Sequence, residues 1–167
     1  TWSRGLGDVY KRQSKMKDDI IISLITPIIS SCKKFEEMGY GKTGSRKIIR
    51  ECIHFFWETG NNKPTKFSRK RIRSLMAAKE HNNKNLRYDH PVPLRVVCEI
   101  LFSLDKINEK NIKFVLEKFI KNGGVLITKD EDNRLTKMGL KSSMPENWNG
   151  EDIFARYKKA DIEIVQT

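Results

Sequence analysis

The chain has 167 residues, and its 33 Lys and Arg against 21 Asp and Glu give a formal net charge of +12 at pH 7. With 38% hydrophobic residues, a chain of this length can bury a core, which excludes the low-hydropathy class of disordered proteins. Its positive charge favours polyanionic partners, namely nucleic acid or an acidic protein. The three cysteines are scattered, odd in number and set in apolar surroundings, which fits free thiols in a reducing compartment, the cytoplasm, better than a disulfide or zinc framework.

The first 15 residues are predicted to be foreign to the natural protein. Residues 8–13, DVYKRQ, resemble the translation of a transposon adaptor used in preparing sequencing libraries. This interpretation makes residues 1–15 an adaptor-derived tail, Met16 the natural start and residues 16–167 a single globular domain. Removing the tail would lower the net charge from +12 to +9, because it carries four cations and one anion, and the remainder would still be strongly basic.

The first apolar segment, residues 20–29, is predicted to belong to a helix and not to a membrane span. It is shorter than the roughly 20 apolar residues that a bilayer requires, and Pro27 interrupts it. Thr26 is the predicted N-cap, Pro27 the first helical residue and Gly39 the stop. A second helix is predicted to follow, with Ser45 as its cap.

A strongly basic helix is predicted to begin at Ser68, because the apolar residues that follow have the spacing of one buried helix face. Four cations crowd its first turn and a half: Arg69, Lys70, Arg71 and Arg73. Cations there cost about 0.3 to 1 kcal/mol each, because the helix dipole is positive at the N-terminus. A bound anion would reverse this cost, so these residues, together with Arg87, are predicted to bind the phosphate backbone of a nucleic acid. The alternative is a solvated charged face.

A proline-bounded elbow, RYDHPVPL, occupies residues 87–94. Each proline fixes its own φ and pushes the preceding residue toward extended geometry, so no helix is expected to pass through the elbow. Four of its residues resemble the D-H-x-x-P-L strand that opens the active site of HNH nucleases: Asp89, His90, Pro93 and Leu94. The elbow and the C-terminal residues 139–157 are also similar to bacterial and phage proteins that carry no agreed activity.

The resemblance to HNH nucleases implies a metal-dependent endonuclease. In that family the position of Asp89 binds a divalent metal, Mg²⁺ or Mn²⁺, and the position of His90 is the general base for water attacking phosphorus. No histidine follows His90 to supply the closing metal ligand, and Asn108 or Asn111 would be weak oxygen ligands in its place. The alternative is that Asp89 and His90 buttress the turn. Apart from such a metal, no cofactor is expected.

The region after the elbow is predicted to contain two helices, a short strand and a further helix. Apolar faces indicate helices over residues 96–104 and 112–120, and residues 125–127 are the predicted strand. Thr128 is the predicted cap of the next helix, whose acidic residues 130–132 suit a positive helix N-terminus better than a metal cluster.

These patterns together predict a mainly α fold, a single compact helical domain with one or two short β-strands. Three functions stay open: a nucleic-acid-binding protein of bacterial or phage origin that uses Arg69, Lys70, Arg71, Arg73 and Arg87; an HNH-like metal-dependent endonuclease centred on Asp89 and His90; and a modulator that binds an acidic protein. We expect the first, with a cytoplasmic location and no membrane partner. The sequence leaves open whether any reaction is catalysed.

Overall fold

The computed structural model describes residues 2–58 and 64–165, with side chains from residue 17 onward except that of residue 42. The chain divides into two units, one comprising Thr1–Lys63 with Leu104–Phe114 and the other Pro64–Ser103 with Val115–Thr167. Helices dominate and the sheet is small, so the mainly α fold class is confirmed. The single domain over residues 16–167 and the adaptor origin of residues 1–15 stay predictions. Within the described ranges, no helix combines the length and the apolar character that crossing a membrane requires.

Seven α-helices lie in the described residues, together with one π-helical turn and one 3₁₀ turn. The helices are α1 (Trp2–Glu37), α2 (Lys42–Cys52), α3 (Leu75–Lys79), α4 (Leu94–Ser103), α5 (Glu109–Ile120), α6 (Lys129–Lys137) and α7 (Ala155–Lys159). The π-helical turn spans Ile53–Glu58 and the 3₁₀ turn spans Asn83–Asn85. The helices predicted over residues 96–104 and 112–120 are confirmed as α4 and α5.

α1 passes through Pro27, so the predicted N-cap at Thr26 is wrong. The Thr26 hydroxyl donates to the carbonyl of Ile22, one turn earlier, at 2.7 Å. Ile25 and Ile29, on either side of the proline, are buried, and α1 packs against α2. Burial of this apolar face offsets the backbone hydrogen bond that the proline removes.

The turn between α1 and α2 is short. α1 ends at Glu37, and the predicted stop, Gly39, follows with a φ of 83°, a left-handed value that glycine adopts without strain. α2 begins at Lys42, so Ser45 is a buried residue of its first turn, with an amide that donates to the carbonyl of Gly41 at 2.9 Å. The predicted stop is therefore confirmed and the predicted cap is wrong.

Four short strands form one sheet in the order β2-β3-β1-β4, where β1 is Arg73–Ser74, β2 is Leu86–Asp89, β3 is Val125–Thr128 and β4 is Ile164–Val165. β1 runs parallel to β3, with Arg73 opposite Leu126, and antiparallel to β4, with Arg73 opposite Val165. β2 runs antiparallel to β3. The strand predicted over residues 125–127 is confirmed, and the sheet is larger than the one or two strands expected.

β3 is buried on both of its faces. Val125 and Ile127 belong to a core cluster that includes residues of α6 and α7, whereas Leu126 packs with Leu86 and Ala77. Alternate residues of a strand point to opposite faces of the sheet, so one strand can serve two clusters. The sheet therefore brings the elbow and the segment around residue 73 to the two sides of β3, and the C-terminal strand β4 pairs with β1.

The acidic residues 130–132 open α6 as a capped helix, as expected from Thr128. Thr128 and Glu131 form a capping box, in which the Glu131 carboxylate accepts from the Thr128 amide at 2.7 Å. The same carboxylate accepts from the Ser74 hydroxyl at 2.7 Å, which ties α6 to β1. Within residues 2–58 and 64–165, no group of three or more His, Cys, Asp or Glu side chains is placed to hold a metal ion.

Candidate nucleic-acid interface

The basic helix predicted from Ser68 does not form. Residues 66–72 form turns and bends, and α3 begins only at Leu75, with Ser74 as its cap. Arg73 and Ser74 pair with β3 and β4, because tertiary pairing overrides the local helix pattern. The cations therefore do not crowd a helix N-terminus, and the dipole argument for a phosphate at that position is wrong.

Arg71 holds this irregular stretch together from the inside. Its side chain is only 4% exposed, and its guanidinium donates to the carbonyls of Pro64, Thr65 and Asn122, the last at 2.7 Å. The guanidinium also lies 5.2 Å from the ring centroid of Tyr88. Because a guanidinium carries five donors in a fixed fork, one side chain can serve several carbonyls. Arg71 therefore orders the stretch and is not on its surface.

A polar cavity of about 420 Å³ lies beside α3 and is called the α3 cavity below. Two of the predicted nucleic-acid-binding residues line it, Arg69 and Arg73, and the other lining residues are Phe67, Ala78, Glu80, His81 and Asn83. Arg69 is exposed, whereas Arg73 is 8% exposed and donates to the carbonyl of Ser68 at 3.0 Å. Among the described residues, neither guanidinium forms an ion pair with a carboxylate.

Glu80, an acid on the wall of the α3 cavity, is bound to the neighbouring 3₁₀ turn. Its two carboxylate oxygens accept from the Asn82 amide at 2.7 Å and from the Asn85 side chain at 3.1 Å. These hydrogen bonds, with that of the Asn82 amide the largest influence, hold the pKa of Glu80 below its ordinary value. The carboxylate is therefore charged at neutral pH and is occupied by the turn.

Residues 64–89, called the basic segment below, contain eight Lys and Arg against two acids, a net charge of +6. Six of these cations are exposed: Lys66, Arg69, Lys70, Lys79, Lys84 and Arg87. In the part of the chain that the structure describes, none of the six pairs with a carboxylate, whereas Arg95, outside the segment, pairs with Glu99 at 3.2 Å. Arg87 donates to the backbone carbonyls of Lys84 and Leu86 instead.

Phe67 and His81 are two of the five cavity residues that the sequence pattern did not identify. They are far apart along the chain, and only the path through β1 and α3 brings them to one cavity. A signal for Phe67 was present, because surfaces that bind single-stranded nucleic acid interleave aromatic and basic side chains, as in residues 66–70, KFSRK. His81 carried no such signal.

A buried arginine of α7 anchors the elbow. Arg156 is fully buried, and its guanidinium donates to the carboxylate of Asp89 and to the carbonyls of His90, Pro91 and Leu140. The Tyr157 hydroxyl donates to the same oxygen of Asp89 at 2.7 Å. Burial raises the pKa of Asp89 above its ordinary value, and the Arg156 guanidinium and Tyr157 hydroxyl oppose that rise. The arrangement is an ion pair that fixes the elbow to α7.

Asp89 and His90 lie side by side at the end of β2. The His90 ring packs edge-on against the Tyr88 ring, with centroids 5.4 Å apart. A metal ion on Asp89 would compete with Arg156, because both need the carboxylate charge. The roles of Asp89 as a metal ligand and His90 as a general base stay predictions.

Comparison with known proteins does not assign the chain to a family. No family model, no curated protein and no solved structure matches it. The likeness to HNH nucleases thus rests on the residues of the elbow, and function has to be inferred from the geometry of the side chains.

Proposed function

We propose that this protein binds nucleic acid through the basic segment, whose exposed cations contact the phosphate backbone. The observation that carries the proposal is that the six exposed cations have no carboxylate partner among the described residues. A cation that is already paired must give up its partner to bind phosphate, whereas an unpaired cation keeps its full attraction. Neutralising phosphates releases counterions from the nucleic acid, which drives binding without sequence specificity.

The two acids of the basic segment oppose a polyanion only weakly. The charge of Asp89 is balanced by the guanidinium of Arg156. The carboxylate of Glu80 keeps its charge, but it is one anion against six exposed cations, and its hydrogen bonds join it to the 3₁₀ turn and not to those cations. The positive charge of the exposed side chains is therefore not cancelled locally.

The buried arginines support the proposal because they order the backbone that carries the exposed cations. Arg71 donates hydrogen bonds to three carbonyls, and Arg73 lies in β1, which pairs with β3 on one side and with β4 on the other. A surface that is ordered before binding loses less conformational entropy when it binds.

The test is fluorescence anisotropy with labelled duplex DNA, single-stranded DNA and RNA over a range of salt concentrations. Six phosphate contacts would give a slope of log K against log salt of about −5.4 on duplex DNA. The triple change Lys70→Gln, Lys79→Gln and Arg87→Gln should reduce the magnitude of that slope by about 2.7 and weaken binding at low salt.

A matched control removes the same charge elsewhere. The change of Lys110, Lys121 and Lys137 to Gln also removes three exposed cations, none of them in the basic segment. It should lower the affinity much less and leave the slope nearly unchanged. An equal loss in both variants would show a diffuse charge effect, and no binding at low salt would remove the proposal and favour an acidic protein partner.

A further inference from the structure

The α3 cavity has the dimensions of a ligand site and not of a packing defect. Its volume is about 420 Å³, within the range of roughly 300 to 1,000 Å³ that is common for small-molecule pockets. Its wall is rich in nitrogen donors, since Arg69, Arg73, His81 and Asn83 all line it. Two of these residues are arginines that pair with no carboxylate among the described residues, which favours an anionic ligand.

Arg73 provides the buried positive charge of the α3 cavity. Arg73 is only 8% exposed, and within the described residues its guanidinium makes a single hydrogen bond, to the carbonyl of Ser68, and pairs with no carboxylate. A guanidinium has five donors, and a buried cation without an anion is costly. Its backbone is fixed in β1 by pairing with two strands. The missing counter-charge would be supplied by a ligand that enters the cavity.

Arg69 also lines the cavity and carries a second guanidinium. Two guanidinium groups on one cavity suit a phosphate, because each can donate in a bidentate manner to its oxygens. Glu80 lines the cavity as well, and its charge weakens the attraction without removing it, because the two guanidinium groups carry more charge than one carboxylate.

Phe67 would add a surface on which a base can stack, so the expected ligand is a nucleotide and not phosphate alone. It is 42% exposed although it is a large aromatic residue, and it lines the same cavity as the two arginines. An aromatic ring beside phosphate-binding cations is the arrangement that holds single-stranded nucleic acid, in which an unpaired base stacks on the ring. In duplex DNA the bases are already stacked on one another and their faces are covered.

We propose that the α3 cavity binds one nucleotide of a single strand, with its phosphate on Arg73 and Arg69 and its base stacked on Phe67. This inference rests on the proposed function and specifies its ligand, single-stranded nucleic acid, and the position at which one nucleotide is held.

The test uses small probes that do not require the rest of the basic segment: AMP, adenosine and inorganic phosphate, titrated by NMR with the full chain. AMP should bind more tightly than inorganic phosphate, and adenosine should bind least. Phe67→Leu should weaken AMP by about tenfold and leave inorganic phosphate unchanged. Phe56→Leu, which changes an aromatic residue of the same exposed fraction, 42%, outside the cavity, should leave both unchanged.

Variants of the charged residues test the phosphate. Arg69→Gln, at an exposed position, should weaken AMP and inorganic phosphate together with no change in melting temperature, and Glu80→Gln should strengthen both. Arg73→Gln should abolish phosphate binding, and its melting temperature reports whether the fold is intact. Adenosine binding as tightly as AMP, or AMP binding that survives Arg69→Gln unchanged, would overturn the inference.

The two proposals fail in different ways. If AMP and phosphate do not bind but DNA still binds through Lys70, Lys79 and Arg87, the cavity inference is wrong and the proposed function stands. If AMP binds in the cavity but no nucleic acid polymer binds, the cavity is supported as a nucleotide site and the proposed function is wrong. Duplex binding as tight as single-strand binding would also overturn the cavity inference.

Discussion

Replacing Asp89 removes the negative charge that faces the buried guanidinium of Arg156. In Asp89→Ala, Arg156 keeps its backbone acceptors but loses its only carboxylate partner among the described residues, and the Tyr157 hydroxyl loses its acceptor. The ion pair is not a large source of net stability, because burying both charges costs almost as much as their attraction returns. Removing one partner is different, since the other stays buried and uncompensated.

The loss in free energy of unfolding depends on the hydrogen-bond acceptors that Arg156 keeps when Asp89 is replaced. Removing one partner of a buried ion pair destabilises a protein by about 3 to 5 kcal/mol. Because Arg156 keeps its carbonyl acceptors, we expect Asp89→Ala to lose about 4 kcal/mol, near the middle of that range. Asp89→Asn keeps an oxygen that can accept from Tyr157 and Arg156, so we expect a loss of about 2 kcal/mol. The double variant Asp89→Ala with Arg156→Met should be less destabilised than the sum of the two single changes, by about 2 kcal/mol.

Urea unfolding, followed by tryptophan fluorescence with linear extrapolation, measures these differences. The pH dependence of Arg156→Met provides a second check. Burial raises the pKa of Asp89, and Arg156 is the group that opposes this most, so its removal raises that pKa further. A folded-state pKa above the unfolded value means that the protonated form stabilises the fold. The loss caused by Arg156→Met should therefore be smaller near pH 3.8, the ordinary carboxyl value, than at neutral pH.

A loss below about 1 kcal/mol for Asp89→Ala would refute this reasoning. The same variant separates the structural role from the one that the HNH resemblance implies. If Asp89 is a metal ligand, the wild-type protein nicks plasmid DNA in Mg²⁺ or Mn²⁺, EDTA stops the reaction, and Asp89→Ala abolishes it with stability preserved. If Asp89 is the partner of Arg156, the variant loses stability, and there is no metal-dependent cutting to lose.

Two further predictions concern Gly124 and Tyr157, which lie in the same unit as Asp89. Gly124→Ala would place a Cβ 2.6 Å from Tyr88 Cζ and 2.9 Å from the carbonyl oxygen of Asp89, so it should destabilise by about 1 to 3 kcal/mol in urea unfolding. Gly44→Ala, inside α2 with nothing within 4 Å, is the control and should stabilise by about 0.5 to 1 kcal/mol. Burial, and after it the Asp89 carboxylate, hold the pKa of Tyr157 well above its ordinary value of 10.0. A raised folded-state pKa gives stability that is present below pH 10.0 and lost as the pH rises above it. Tyr157→Phe should therefore be less stable than the wild type by about 1 kcal/mol at neutral pH. Its melting temperature should fall less than that of the wild type as the pH is raised above 10.0. A parallel alkaline decline in both proteins would contradict this.

Several elements were determined by local sequence signals. The periodic apolar faces of α4 and α5, the apolar strand β3 and the Thr128 cap of α6 were all predicted correctly. Each depends on residues within about one or two turns of one another, as in the capping box between Thr128 and Glu131. Such interactions are readable without knowledge of the rest of the chain.

The conformation of the basic segment, and the burial of its side chains, depend on tertiary contacts that the sequence does not reveal. Arg73 follows a helical pattern in the sequence, but its pairing partners, Leu126 and Val165, are far along the chain, and their backbone hydrogen bonds make it a strand residue. An anionic partner stays a prediction from composition, and composition does not distinguish Arg69, which is exposed, from Arg71, two positions later, which is buried. Arg71 is buried because carbonyls from three separate positions converge on its guanidinium, and no local pattern specifies that convergence.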